Sequence, residues 1–163
     1  MEETMKLYIK QKVFSFTSRF TVKDENGVDR YYVEGELLSL KNMLHVYDTA
    51  GDEAAVVYRR LMNFMPHYVI ESRGRQIAEI VKEFTFMIPK YHLLGTAMRL
   101  EGDLFEHEYV LQDGQRDIVR VSKEWFTWGD SYVLDIENPG DEILALGVVL
   151  AVDCVTASNN SGS

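Results

Sequence analysis

The ten residues from Ile143 to Val152 contain no polar side chain. They follow Asn138-Pro139-Gly140-Asp141, which reads as a helix start. Asparagine is a good cap, proline suits the first helical position, and Asp141 would stand near free backbone N–H groups. A helix on a surface keeps one polar face, whereas a helix apolar all round is buried all round. In a chain of 163 residues, only a surrounding sheet can supply that cover. A pair of buried strands is the competing reading, because Val and Ile favour strands. The cap and the Leu and Ala content favour the helix. Ala145, Gly147 and Ala151 would let the wall come close. Gly147 weakens a helix, so a tight steric site is expected there. Asp153 would face the unfavourable end of the helix dipole. It needs a donor if it is buried; otherwise it marks where the helix emerges.

The wall is legible as a repeat. Segments 13–22, 37–46, 61–70, 84–93 and 125–134 align, and 102–111 matches in its second half. Each has an apolar residue at its fourth position and another, usually aromatic, four later. The pairs are Phe16/Phe20, Leu40/Leu44, Phe64/Tyr68, Met87/Tyr91, Phe105/Tyr109 and Trp128/Tyr132. Large residues alternate in the second half of the units, as in a strand with one buried face. Turn signals follow at Asp24-Glu25-Asn26-Gly27, Asp48-Thr49-Ala50-Gly51, Glu71-Ser72-Arg73-Gly74 and Gln112-Asp113-Gly114. Glycine and asparagine supply the positive φ that tight hairpins need. A second alternating stretch comes next, so each unit is strand, turn, strand. Six units make about twelve antiparallel strands, in a sandwich or a barrel.

Bulk properties narrow the function. The net charge of −9 argues against general nucleic-acid binding, which needs a basic face. Cys154 is the single cysteine, so no intrachain disulfide forms, and C-x-x-C and Cys/His metal patterns are absent. A reducing, cytoplasmic setting is expected. The start is acidic and lacks the apolar core of a signal peptide. The longest apolar run is half of the roughly twenty residues needed to span a bilayer. We expect one domain over 5–156 and a flexible polar tail over 157–163.

Several segments resemble the LURP-one-related family, and within it the small bacterial members of the YxjI type. They are Tyr8-Ile9-Lys10-Gln11-Lys12-Val13-Phe14-Ser15, Phe20-Thr21-Val22-Lys23-Asp24-Glu25-Asn26-Gly27, Asp135-Ile136, and Leu144-Ala145-Leu146 through Val152-Asp153-Cys154. The longest is Val121-Ser122-Lys123-Glu124-Trp125-Phe126-Thr127-Trp128-Gly129-Asp130-Ser131-Tyr132. The resemblance runs from about Leu7 to Val155 and implies a tubby C-terminal-like fold. That fold is a twelve-stranded closed antiparallel barrel around a central hydrophobic C-terminal helix, here near 140–155. The resemblance implies no general enzymatic activity. Tubby domains bind phosphoinositide head groups through a basic pocket, and the related scramblases act at phospholipid bilayers. No family site motif carries over to numbered positions of this chain.

The residues themselves offer little chemistry. G-x-G-x-x-G, P-loop, H-E-x-x-H and G-x-S-x-G patterns are missing, and no catalytic, metal or cofactor site is expected. His45, His67, His92 and His107 fall at strand starts or outward positions. His107 lies between Glu106 and Glu108 on what reads as a solvated strand face. Glu34, Glu36, Glu101 and Asp103 would act as a carboxylate pair only across a cleft. Trp125, Phe126, Trp128 and Tyr132 read as core, with an exposed recognition platform as the alternative. Arg59, Arg60, Arg73, Arg75, Lys82 and Lys90 lie in adjacent repeats and are the candidate anion or lipid patch. The first expectation is a non-enzymatic scaffold or binding domain with an unidentified partner. The second is a peripheral membrane protein that binds phospholipid or phosphoinositide head groups. An enzyme with an unrecognised site comes last. A helix filling the barrel would leave only the outer wall and rims for recognition.

Overall fold

The computed structural model describes residues 3–10, 19–36, 42–61, 64–83, 90–126 and 129–157. Twelve strands precede one helix. They are β1 (Met5–Lys10), β2 (Arg19–Asp24), β3 (Asp29–Gly35), β4 (Leu44–Asp48), β5 (Glu53–Arg59) and β6 (His67–Ser72). The others are β7 (Arg75–Glu83), β8 (Lys90–Leu93), β9 (Met98–Asp103), β10 (Glu108–Asp113), β11 (Arg116–Phe126) and β12 (Gly129–Ile136). A 3-10 turn over Pro139–Asp141 leads into α1 (Glu142–Ala157).

All strands form one antiparallel sheet in the order β8-β7-β6-β5-β4-β3-β2-β1-β12-β11-β10-β9. The sheet curls into a nearly closed barrel. Among the described residues no ladder joins β8 to β9, so the wall has a seam there.

The repeat is the barrel's construction rule. Leu44, Tyr68, Tyr91, Tyr109 and Tyr132 all fall in the first half of even-numbered strands and are buried, while Phe20 in β2 is half-buried. An odd-numbered strand follows each even-numbered one across a turn. The last unit breaks the rule, because β12 is followed by the helix. β1 takes the vacant place and pairs with both β12 and β2, with Ile9 opposite Tyr132 on one side and Val22 on the other.

Repetition extends to individual hydrogen bonds. Asp24 Oδ1 accepts from the N–H groups of Asn26 (2.9 Å) and Val28 (3.0 Å). Asp48 Oδ1 accepts from Ala50 (2.9 Å) and Asp52 (3.0 Å) in the same way. Gly27 and Gly51 take φ of +75° and +86° in the two loops, a region open to glycine at no steric cost.

The strand directions give the barrel two unlike ends. One carries these short turns and the start of α1, and we call it the turn rim. The other carries the connections from each odd-numbered strand to the next even-numbered one, and the end of α1; we call it the connection rim.

The helix begins as its sequence suggests. The Asn138 side chain accepts from Gly140 N–H at 2.8 Å. Arg116 pairs with Asp141 and Arg30 with Glu142, both at 2.9 Å, tying the helix start to β11 and β3. Every residue from Ala145 to Val155 is buried, and the helix packs most closely on β5, β6 and β7. Burying its large aliphatic side chains contributes on the order of 10 kcal/mol before chain ordering is counted. Gly147 meets the wall: a Cβ there would lie 2.5 Å from the Ile70 γ-methyl.

Candidate functional site

The centre of the barrel is filled by α1, so a ligand cannot occupy it. The polar groups that remain inside cluster near the end of the helix. Asp153 is 6% exposed. Its carboxylate accepts from the Tyr132 hydroxyl at 2.5 Å and stands 3.0 Å from His107 Nε2. The His107 ring stacks on Tyr132 with centroids 4.4 Å apart. Burial, and after it the charge of Asp153, pushes the Tyr109 and Tyr132 phenols and the Cys154 thiol well above their ordinary values. All three are therefore neutral, and Cys154, fully buried, presents no thiolate to solvent. The cluster has the residue types of an acid–base site, but its carboxylate and the Tyr132 hydroxyl that it binds are buried. Its geometry clamps the helix end to β12 and to the β9–β10 turn.

This corrects the expectation that His107 lies on a solvated strand face. Strand β9 ends at Asp103, whose carboxylate accepts from the N–H groups of Phe105 (3.1 Å) and Glu106 (3.0 Å). His107 then takes a left-handed φ of +55°, which interrupts alternation and turns its ring inward. Glu106 and Glu108 remain outside, where Glu106 pairs with Lys123 at 2.9 Å.

The other histidines belong to the outer wall. His45 stands between Glu53 (2.8 Å) and Glu36 (3.2 Å). Burial alone would lower its pKa, but the two carboxylates together outweigh burial and raise it. His67 (3.0 Å), Arg60 (3.1 Å) and Gln76 (3.2 Å) converge on Glu79. Burial works against that carboxylate's charge, yet these partners hold its pKa below the usual range. His92 faces Glu83 at 3.0 Å.

The candidate basic residues occupy two places. Arg73 and Arg75 stand at the β6–β7 turn, on the turn rim. Arg59, Arg60, Lys82 and Lys90 stand at or near the connection rim, with Arg60 engaged by Glu79. The carboxylates Glu34 and Glu36 lie on or just after β3, six strands in the sheet order from β9, which carries Glu101 and Asp103. The two pairs therefore stand on separate parts of the wall. Of the aromatic group 125–132, only Tyr132 is a described side chain, and it is core; the expectations for Trp125, Phe126 and Trp128 fall outside the described side chains. So do those for residues 158–163 and for Phe16, Leu40 and Met87.

The connection rim has a feature that the repeat signalled without explaining. The fourth-position residues that can be seen, Phe64 and Phe105, are not core: they are 93% and 45% exposed. Both lie in connections at that rim, and Leu61, three residues before Phe64 in the sequence, is 44% exposed. Among the described residues no group of three metal-binding side chains converges, and no helix is long and apolar enough to cross a membrane.

The LURP-one-related sequence profile matches residues 5–153. The chain belongs to the LURP-one-related family. Its sequence is 33% identical over 159 residues to the uncharacterised protein YxjI of Bacillus subtilis, covering 98% of both chains. A protein from Arabidopsis thaliana solved by X-ray crystallography has the same fold, with a TM-score of 0.62, 14% identity and coverage of 94% of this chain and 92% of the other. Family membership thus agrees with the architecture read from the repeat and the apolar helix.

Proposed function

We propose that this chain is a non-catalytic binding domain whose recognition surface is the connection rim and the adjoining outer wall. The observation that carries this reading is Phe64, an aromatic side chain 93% exposed at a recurring sequence position, on a barrel whose interior is taken by its own helix. An aromatic ring left in water is a common anchor for a partner. The test is mass spectrometry of proteins and lipids that co-purify with the native protein and with a Leu61→Ser/Phe64→Ser variant. The variant should keep its melting temperature and lose a specific companion. An unchanged set of companions would remove the rim from consideration.

A second reading is peripheral attachment to membrane phospholipid head groups by a cytoplasmic protein. It is favoured by the placement of Arg59, Arg60, Lys82 and Lys90 at the same end as Phe64, where cations would flank an apolar anchor. Arg73 and Arg75, at the far end, would take no part unless a separate anion met them there. Because the net charge is −9, attraction to an anionic bilayer would have to be local and sensitive to salt. Pelleting with phosphatidylserine vesicles at low and high salt decides it; no binding at either salt sinks the reading.

A further inference from the structure

We infer that the seam between β8 and β9 is a docking groove for a short extended peptide, which adds to the open edge of β9 as a further strand. This deepens the reading of the chain as a binding domain and rests on it. Elsewhere in the barrel, inward positions are sealed on both sides by neighbouring strands. At the seam they are not. Leu100 and Gly102 of β9 pair with Leu111 and Tyr109 of β10 and so share their face. Leu111 and Tyr109 are buried, whereas Leu100 is half-buried and Gly102 exposed. The inner face of the sheet therefore reaches the surface along β9.

A cleft of about 540 Å³ opens there, lined by Tyr91, Leu100, Leu104 and Phe105, with Glu83, Lys90 and Asp103 at its lips. Its lining takes Lys90 and Tyr91 from the connection-rim half of β8 and runs along β9 from Leu100 to Asp103. The Tyr91 and Phe105 rings stand edge to face, 6.3 Å apart, and form an apolar seat.

Three properties select the occupant. First, β9 is laddered to β10 on one side, and among the described residues its other edge has no ladder partner. Such an edge is a template for another strand. An acyl chain would cover the apolar wall but leave the backbone donors and acceptors of that edge unanswered. Second, the lips carry both signs of charge, so an anionic head group gains no net attraction. Third, the seat suits one large apolar side chain, and alternate residues of an added strand would point the same way.

The test is a titration of the full-length, 15N-labelled chain with a synthetic array of octapeptides that alternate Phe, Leu or Val with Ser, Thr or Lys. The best binder should shift the amide resonances of Leu100 to Asp103 and slow their hydrogen exchange. N-methylation of alternate peptide residues removes the main-chain donors without touching the protein, and should weaken binding by about tenfold or more. Phe105→Ala, a change on an exposed turn, should weaken it by a similar factor at an unaltered melting temperature. The inference is overturned if no peptide perturbs the seam, or if N-methylated peptides bind as well as their parents. It is also overturned if sodium oleate, and no peptide, occupies the cleft. The array reads the seam and the Leu61/Phe64 variant reads the rim, so failure of one is distinct from failure of the other.

Discussion

Asp153 sits where its own helix is least favourable to a carboxylate, and it is buried. Tyr132 and His107 make that position tenable. Replacing the acid leaves a phenol hydroxyl and an imidazole without their partner in the interior. Asp153→Ala should therefore lower stability by about 1–3 kcal/mol, and Tyr132→Phe, which loses a single bond, by less. Urea unfolding of both variants checks the order; a larger loss for Tyr132→Phe contradicts the clamp. On the outer wall, His45 and Glu79 respond to pH in opposite directions. The folded pKa of His45 is raised, so its contribution is complete below the unfolded value of about 6.5 and is lost as pH rises through the folded value. The folded pKa of Glu79 is lowered, so its contribution is present above the unfolded value of about 4.3 and is lost as pH falls through the folded one. Thermal melts across pH should show the advantage of wild type over His45→Gln shrinking as the solution turns alkaline. The need of Asp153 for a donor was legible in the chain, since any carboxylate at the end of an apolar helix has it. The identity of the donor was not, because alternation projected through residues 106–108 assigns His107 to the wrong face. The one available signal was Asp103, a side chain suited to closing a turn just before it.

At the scale of elements, Gly147 opposes two known effects. Gly147→Ala improves intrinsic helix propensity by about 1 kcal/mol. It also drives a methyl group to within 2.5 Å of Ile70, which is itself fully buried. Overpacking of about 1–3 kcal/mol should win and lower the melting temperature. The same change in an Ile70→Ala background should cost less or stabilise, and a double-mutant cycle measures the difference. The steric role of this glycine was readable, because a glycine in a helix so apolar needs a reason. The strands were equally readable where Asp and Gly mark the turns. The β6–β7 hairpin shows how far that reading extends: Arg73 and Gly74 both take positive φ, and the Ser-Arg-Gly signal is weaker than Asn-Gly yet sufficient. The rim was harder. A recurring aromatic residue reads as core by pattern, and Phe64 shows that a connection can recur as faithfully as a strand.

For the whole molecule, the six units supply eleven strands, because the last lacks its second, and β1, which belongs to no unit, makes the twelfth in the place left vacant. Deleting residues 1–10 should leave β2 and β12 as facing open edges. The truncated chain is expected to lose its cooperative thermal transition and to associate, read by calorimetry and light scattering; a monomer that melts as the intact protein does would show that β1 is dispensable. The pairing of β1 with β12 also sets a timetable. During synthesis β1 emerges before the other eleven strands and can pair early with β2, but its second neighbour, β12, is made only after all the strands between them. The helix that fills the interior comes later still. Until then the inner faces of the strands are open to water and to other nascent chains, and contacts so distant in sequence form slowly. A barrel built in this order is most vulnerable just before its helix is made.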